Sequence, residues 1–359
     1  MPPKVRSGFG ARQCLRSRNL QHVACPLFRM TCCSVRSRTI NESHRSHMPT
    51  SPNILALGGA HIDRRGQVSG TYVPAASNPG VMREDVGGVV FNALRSVVKR
   101  GVSASLISVR GGDAAADTVA SAIDNAGITD LSVVFLDRTT PSYTATIDAE
   151  GELIVGLADM ALYDLAFPKQ IRRAKVREAI AAADAILCDA NLPTAALERL
   201  LALAGGRPVF AIAVSPAKVV RLAPLLDELS LLFMNRREAA ALVGAEPSGE
   251  TLVHRLRQAG LSAGVVTSGS APVLGFDDTG IFEIDPPAPR KVADVTGAGD
   301  ALTGATVAAL LRGLPLRAAL REGLAAAMLA IESPEAVPSF TGGNFTQALA
   351  LVPEAREVA

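Results

Sequence analysis

A glycine-rich loop near the end of the chain, Thr296-Gly297-Ala298-Gly299-Asp300, has the residue types best suited to chemistry. It leads directly into a helical pattern, which places Asp300 in the first turn of a predicted helix. Glycines let the backbone approach a ligand closely, and the free N–H groups at a helix start attract an anion. Such N–H groups could stabilise a moving phosphoryl group while Asp300 accepts the proton of an attacking hydroxyl. The loop therefore favours phosphoryl transfer.

Other interpretations of this loop stay open from the residues alone. A glycine-rich helix start capped by an aspartate occurs in many proteins that bind nothing there. The loop is not a Walker A sequence, since no Gly-Lys-Ser/Thr follows it. It also lacks the pattern Gly-x-Gly-x-x-Gly, and it lies near the C-terminus instead of after the first strand. A dinucleotide-binding dehydrogenase is therefore the least favoured alternative.

Three motifs, taken in order, resemble the signatures of the ribokinase-like (PfkB) carbohydrate kinases. The first is Gly87-Gly88-Val89-Val90-Phe91-Asn92, followed by Lys99-Arg100-Gly101. The second is Asn235-Arg236-Arg237-Glu238, directly after a predicted strand, and the third is Asp294–Asp300. The resemblance covers roughly residues 53–340. It implies an enzyme that phosphorylates a hydroxyl of a small molecule, with ATP and Mg²⁺ as cofactors and, in some relatives, a monovalent cation.

The resemblance also implies a role for each matching residue. Asp300 would be the general base, with Gly297, Ala298 and Gly299 as the anion hole. Glu238 would order the metal ion through water. The residues implied to contact ATP are Asn235, Thr267, Gly269 and Thr296. The pair Asn235 and Glu238 is also typical of a helix N-cap with a nearby acid, and both roles can hold together.

A second group of residues would hold the acceptor. Asp63 comes just after the first predicted strand, where an aspartate of the family hydrogen-bonds sugar hydroxyls. A carboxylate and an amide are suitable partners for vicinal diols. The residues implied to bind the substrate are Asp63, Asn78, Gly87, Gly88 and Asn92. His61 is expected on the opposite side of the strand from Asp63, in a structural or exposed position.

The choice of acceptor is narrowed by a resemblance to the pseudouridine kinases of the family. These enzymes phosphorylate the ribose 5′-hydroxyl of free pseudouridine. The similar segments are Ser77-Asn78-Pro79-Gly80, Thr140-Pro141-Ser142-Tyr143 and Asp189-Ala190-Asn191. Two departures are Phe91, where that subgroup often has Arg, and Ile212-Ala213, where Asp-Pro is more usual. The alternatives are a kinase of ribose, a fructose derivative, adenosine or inosine, and a binding protein that has kept the fold and lost catalysis. The intact glycine loop argues against the last of these.

Strands and helices alternate from residue 53 onwards. Apolar runs predict strands at 53–58, 103–108, 184–189, 208–213, 231–234 and 263–267. This order predicts an α/β fold with a doubly wound, mainly parallel sheet flanked by helices, whose ligands lie beyond the carboxyl ends of the strands. The predicted kinase domain spans residues 51–345, and residues 346–359 form a C-terminal helix or tail.

Two stretches interrupt this alternation, at about 66–86 and 131–158. The second contains two strand-like runs joined by the turn signal Asp148-Ala149-Glu150-Gly151. Together the stretches predict a small antiparallel β lid next to the site. Relatives dimerise through such inserts, so a homodimer through the lid is an expected partner contact.

The first 50 residues differ from the rest in composition. Residues 1–47 hold nine Lys or Arg, one acid (Glu42) and four of the five cysteines. This basic leader is predicted to be disordered, and it is either a targeting peptide or untranslated sequence ahead of a start at Met48, which is the favoured interpretation. It is excluded from the fold.

The remainder of the chain has more acids than bases, which predicts a small-molecule nucleoside or sugar partner and no nucleic acid. Its single cysteine, Cys188, lies in an apolar strand pattern and can form no disulfide framework. This absence is typical of a reducing, cytoplasmic location. No stretch of this part is predicted to span a membrane.

Overall fold

The computed structural model describes residues 51–244, 248–334, 337–338 and 341–358. The predictions for the leader, including its cysteines and the start at Met48, lie outside the described residues. Among the described residues, no helix combines the length and the hydrophobicity that a bilayer crossing needs.

The chain alternates between strands and helices, as its hydrophobic pattern predicts. The strands are β1 (Asn53–Leu57), β2 (His61–Val68), β3 (Gly80–Gly87), β4 (Ser103–Ile107), β5 (Val109–Gly111), β6 (Thr129–Asp130), β7 (Val133–Phe135), β8 (Ser142–Ile147), β9 (Leu153–Asp159), β10 (Ala185–Asp189), β11 (Val209–Ile212), β12 (Leu231–Asn235), β13 (Gly264–Ser268), β14 (Ala271–Asp277), β15 (Gly280–Ile284) and β16 (Arg356–Glu357).

Helices connect the parallel strands of the main sheet and pack on both of its faces. They are α1 (Val89–Lys99), α2 (Ala114–Asn125), α3 (Ala161–Gln170), α4 (Ala174–Ala182), α5 (Thr194–Ala204), α6 (Pro216–Val219), α7 (Arg236–Val243), α8 (Gly249–Gln258), α9 (Ala298–Leu311), α10 (Leu316–Ile331) and α11 (Gly342–Ala350), with a 3-10 helix at Ala223–Glu228.

The main sheet has the strand order β16-β15-β14-β13-β12-β11-β10-β1-β4-β6. From β6 to β13 the neighbours are parallel, and from β13 to β16 they are antiparallel. The chain starts in the middle at β1, moves outward through β4 and β6, and returns to the other side at β10. This reversal is a topological switch point, beside which ligands of open α/β sheets bind. The predicted doubly wound fold is confirmed.

Two hydrophobic cores lie on the two faces of this sheet, because successive strand residues point to opposite sides. Ile54 and Ala56 of β1 face the core formed with α1, α2, α9, α10 and α11. Leu55 and Leu57 face the core formed with helices α3 to α5, α7 and α8. Both cores are rich in fully buried aliphatic side chains. The sheet is thus covered on both sides and presents its strand ends to the site.

A second sheet, called the lid below, has the strand order β3-β2-β8-β9. The pairs β2–β3 and β8–β9 are antiparallel, and the central pair β2–β8 is parallel. The lid strands begin at His61, five residues before the predicted 66. Residues 131–141 are not part of the lid, since β7 pairs with β5 instead.

Candidate active site

Four of the predicted site residues line one cavity of about 670 Å³. They are Asp63 and Gly87 from the lid, Asn92 from the first turn of α1, and Thr296 from the loop before α9. These segments are far apart in the chain. They converge because β1, the lid and the two helices all end or begin at the carboxyl edge of the sheet.

A direct contact between these segments joins Asn92 to Asp300. The Asn92 Nδ2 donates a hydrogen bond to Asp300 Oδ2 at 3.0 Å. Asn92 is only 5% exposed, and its other polar atom, Oδ1, has no hydrogen-bond partner among the described residues. A buried acceptor without a donor is unfavourable by about 1–3 kcal/mol, so a hydroxyl of a bound ligand would stabilise it. The pair therefore fits a site for an alcohol next to a carboxylate.

Asp300 has an environment that changes its acidity. Burial raises the pKa of Asp300 to about 7, and the negative charges of Asp63, Asp189 and Glu238 act in the same direction. The hydrogen bond from Asn92 opposes this shift, since it stabilises the ionised carboxylate. A carboxylate with a pKa near neutrality is well matched to accept a proton from a hydroxyl at physiological pH.

The carboxylate of Asp63 occupies space that is free only because residue 87 is a glycine. A Cβ added to Gly87 would meet the Asp63 Oδ2 at 1.8 Å. The other carboxylate oxygen, Oδ1, lies 3.2 Å from the Nε2 of His61. The prediction that His61 points away from Asp63 is wrong, because β2 begins at His61 and residues two apart in a strand share a face.

Gly88 is the second glycine whose lack of a side chain shapes the site. It precedes α1 with φ of 114°, in the region that favours glycine. A Cβ here would lie 2.3 Å from the carbonyl oxygen of Gly59. The backbone before α1 therefore lies directly against the turn after β1, which brings Asn92 to the acceptor side of the cavity.

The loop before α9 is open to a ligand on one side. Gly297 is the N-cap residue of α9 and adopts the left-handed conformation, with φ of 79°. A Cβ added to Gly299 would meet no atom within 4 Å. The first backbone N–H groups of a helix have no partner within it. The geometry of Gly297, Ala298 and Gly299 thus suits the approach of a phosphate to the N-terminus of α9.

Arg65, which belongs to none of the three sequence motifs, links the lid to this loop. Its guanidinium donates to Asp294 Oδ2 at 2.9 Å and to Thr296 Oγ1 at 2.6 Å. Arg65 shares a strand face with Asp63 because the two are separated by one residue. The alternation along β2 was the signal that could have identified it.

Asn235 and Glu238 form a capping box at the start of α7. The Glu238 N–H donates to Asn235 Oδ1 at 2.9 Å, and the Asn235 N–H donates to Glu238 Oε2 at 2.7 Å. Asn235 is the direct neighbour of Thr267 across β12 and β13, and Gly269 follows in an open turn with φ of 59°. These predicted nucleotide contacts therefore lie together, and burial raises the pKa of Glu238.

The structure does not bring Asn78 to the cavity wall. Its side chain accepts from the Val73 N–H at 2.8 Å and donates to the carbonyls of Val73 and Ala76 at 2.9 Å and 3.0 Å. All of its bonding capacity closes the turn between β2 and β3. A substrate contact by Asn78 therefore stays a prediction.

Asp189 belongs to the segment Asp189-Ala190-Asn191, which is similar to the pseudouridine kinases. Its carboxylate stabilises the turn that precedes Asp63. It is fully buried and accepts from the Gly59 N–H and from the backbone and side-chain N–H groups of Asn191, each at 3.0 Å. Burial raises the pKa of Asp189 despite these bonds. Asn191 in turn accepts from Lys218. This network fixes the turn between β1 and Asp63.

The chain was compared with known proteins. Residues 51–341 match the family described as pfkB family carbohydrate kinase. Pseudouridine kinase from Escherichia coli is 29% identical over 273 residues, which cover 75% of this chain and 87% of that protein. The structure of a carbohydrate kinase from Agrobacterium tumefaciens has a TM-score of 0.77 at 44% identity, and the match covers 86% of this chain and 100% of that one.

A more distant structure shares the fold. Arabidopsis thaliana ribokinase, solved with ribose and ATP, has a TM-score of 0.74 at 20% identity, over 83% of this chain and 99% of the other. The family match covers most of the chain, and the glycine loop with Asp300 and the Gly87–Asn92 segment lie within it. The chain therefore belongs to the pfkB family of carbohydrate kinases and is a phosphotransferase that acts on a hydroxyl group.

Proposed function

We propose that this enzyme transfers the terminal phosphoryl group of ATP to the ribose 5′-hydroxyl of free pseudouridine. Proteins named pseudouridine kinase from Escherichia coli and Arabidopsis thaliana are among its relatives, at 29% and 26% identity. The observation that carries the proposal is the contact of Asn92 with Asp300 at the cavity. It supports a hydroxyl-binding position, because the Oδ1 of Asn92 accepts no hydrogen bond from the described residues.

The proposed reaction uses the chain's own groups in three roles. Asp63 and Asn92 accept hydrogen bonds from the acceptor's hydroxyls, which orients the ring. Asp300 accepts the proton of the attacking hydroxyl as the new bond to phosphorus forms. The N–H groups of Gly297, Ala298 and Gly299 stabilise the negative charge of the transferred group. Bound ATP supplies the phosphoryl group, with Thr296 and the pair Asn235 and Thr267 on its side of the cleft.

Mg²⁺ would be held on the Glu238 side of the site, through water. Glu238 is 6% exposed, and its Oε2 is used by the capping box. A carboxylate has a second oxygen with further acceptor capacity, and oxygen ligands that include water suit Mg²⁺. The residue therefore fits an outer contact to the ion.

The acceptor is tested with a panel of free nucleosides and sugars in the presence of ATP and Mg²⁺. Pseudouridine, uridine, adenosine, inosine, ribose and fructose are compared by kcat/KM, with product identified by mass. We expect pseudouridine to exceed each of the others by at least about tenfold. Turnover of adenosine or ribose without turnover of pseudouridine would reject the proposed acceptor and leave a family kinase of another substrate.

The rate of the reaction should depend on the ionisation of Asp300. Because its pKa is raised to about 7, the ionised form that can accept a proton is lost as the pH falls below that value. We expect kcat/KM for the acceptor to drop about tenfold per pH unit below about pH 6 and to level off above pH 8. Thermal unfolding at each pH separates this effect from denaturation. A profile that stays flat from pH 5 to pH 8 would contradict the general-base assignment.

Glu238→Gln separates the metal role from the capping role. Glutamine also completes a capping box, so the variant should keep its melting temperature while needing a several-fold higher Mg²⁺ concentration for half-maximal rate. Glu238→Ala is the matched control, because it removes both the charge and the cap, and we expect it to lose about 0.5–1 kcal/mol of stability as well. An unchanged Mg²⁺ requirement in Glu238→Gln would leave Glu238 with the helix cap alone.

A further inference from the structure

The buried imidazole of His61 lies between the carboxylate of Asp63 and the hydroxyl of Tyr163. Its Nε2 lies 3.2 Å from Asp63 Oδ1, and its Nδ1 lies 3.1 Å from the hydroxyl of Tyr163. His61 is 6% exposed and Tyr163 is 1% exposed. Tyr163 belongs to α3, which packs below the turn between β1 and β2. The three side chains therefore form a chain from the interior to the edge of the substrate cavity.

The chemistry of the three groups decides how they contact one another. An ionised carboxylate only accepts, so the 3.2 Å contact with Asp63 is favourable when the Nε2 of His61 carries a hydrogen. The Nδ1 lies 3.1 Å from the Tyr163 hydroxyl, which also donates its hydrogen to the carbonyl oxygen of Ala60 at 3.3 Å. Burial raises the pKa of Tyr163, which keeps that hydrogen on the tyrosine. The Tyr163 hydroxyl thus holds the imidazole ring of His61 in the orientation that places its Nε2 next to Asp63.

The second oxygen of Asp63 is restricted in another way. Its Oδ2 fills the space that a side chain on residue 87 would occupy, since a Cβ on Gly87 would lie 1.8 Å from it. Oδ1 therefore lies in contact with the imidazole of His61, and Oδ2 lies against the backbone of Gly87. The Asp63 side chain is 40% exposed, so without the His61 contact the packing against Gly87 would be the main restriction on its rotation that the described residues provide.

We infer that His61, oriented by Tyr163, is a positioning residue that fixes the Asp63 carboxylate for the hydroxyls of the acceptor. The inference rests on the proposed function only in that Asp63 binds the acceptor. His61 itself is absent from the cavity wall, whereas Asp63 is part of it. The effect of His61 therefore falls on the acceptor and not on the nucleotide, because Asp63 lies on the acceptor side of Asp300.

Two amide substitutions at residue 61 test which nitrogen matters. The amide nitrogen of glutamine reaches about as far as the Nε2 of histidine, and that of asparagine about as far as the Nδ1. We expect His61→Asn to raise KM for the acceptor by about ten- to a hundredfold, with KM for ATP and the melting temperature close to wild type. His61→Gln should restore the acceptor KM to within about threefold. Equal KM increases for ATP and acceptor, or no increase in His61→Asn, would overturn the inference.

A double-mutant cycle with Asp63→Asn shows whether His61 acts through Asp63. In that background His61→Asn should have little further effect on the acceptor KM, and an undiminished effect would overturn the inference. Tyr163→Phe keeps the ring packing and removes the hydroxyl, so we expect a smaller rise in the acceptor KM. All measurements use whichever acceptor the enzyme turns over best. Failure of pseudouridine as a substrate would thus count against the proposed acceptor and leave the test of His61 intact.

Discussion

Replacing Asp300 by Asn should lower kcat by about three to four orders of magnitude, while the affinities for ATP and the acceptor stay within about tenfold, or about 1.4 kcal/mol. Asparagine has the same shape, and its carbonyl can still accept the hydrogen bond that Asn92 donates over 3.0 Å. It cannot take a proton from the attacking hydroxyl. Steady-state kinetics and calorimetric titration of each ligand measure the two effects separately.

The stability of Asp300→Asn serves as the control for folding. The pKa of Asp300 is raised in the folded protein from 3.8 to about 7, so folding favours the protonated form. The stability that the protonated form contributes is fully present below the unfolded value and is lost as the pH rises through about 7. Asparagine does not titrate, and the variant should melt at or above the wild-type temperature at pH 8. Near-normal turnover in a folded Asp300→Asn would reject the general-base role.

Gly304→Ala should damage both stability and catalysis, although residue 304 is four positions beyond Asp300. A Cβ at this position would lie 2.1 Å from the carbonyl oxygen of Ala93 and 2.8 Å from the Cβ of Ser96, so α9 and α1 would have to move apart. Overpacking of this kind lowers the free energy of unfolding by about 1–3 kcal/mol or more. Asn92 and Asp300 lie on these same two helices, and a misplacement of about 1 Å can lower kcat about a hundredfold.

Gly343 provides a matched control, because there is open space where a side chain at this position would lie. Gly343 lies in the first turn of α11, and a Cβ there would meet no atom within 4 Å. Gly343→Ala should therefore be neutral or slightly stabilising, by up to about 1 kcal/mol. Thermal unfolding and kcat are measured for both variants. A Gly304→Ala enzyme with wild-type stability and rate would show that the two helices need not approach so closely.

Several parts of this enzyme could be predicted from local patterns. The apolar runs at β1, β4, β10, β11, β12 and β13 lie within a residue or so of the observed strands, because a buried parallel strand requires a continuous apolar run. The glycine loop before Asp300 predicted a helix start, and Gly297 does adopt the left-handed conformation there. In each case the signal lies within a few neighbouring residues.

The errors concern side chains whose role depends on distant partners. The prediction for His61 is wrong because residues two apart in a strand share a face, and its contact with Tyr163 spans 102 positions of sequence. Asn78 is a local case, since its amide bonds Val73 and Ala76 within its own turn, and its contact with the substrate stays a prediction. Arg65 was not selected, since its partner Asp294 is 229 positions away.

Local sequence patterns predicted the six parallel core strands, the family signatures and Asp300 as the candidate base. Backbone preferences and hydrophobic periodicity act over a few residues, and a single chain displays them directly. Only the tertiary structure decided what surrounds that base. The bond between Asn92 and Asp300 joins residues 208 positions apart, and it forms because Gly304 lets α1 and α9 pack closely. The same packing partly buries Asp300 and raises its pKa to about 7, which no local pattern could show.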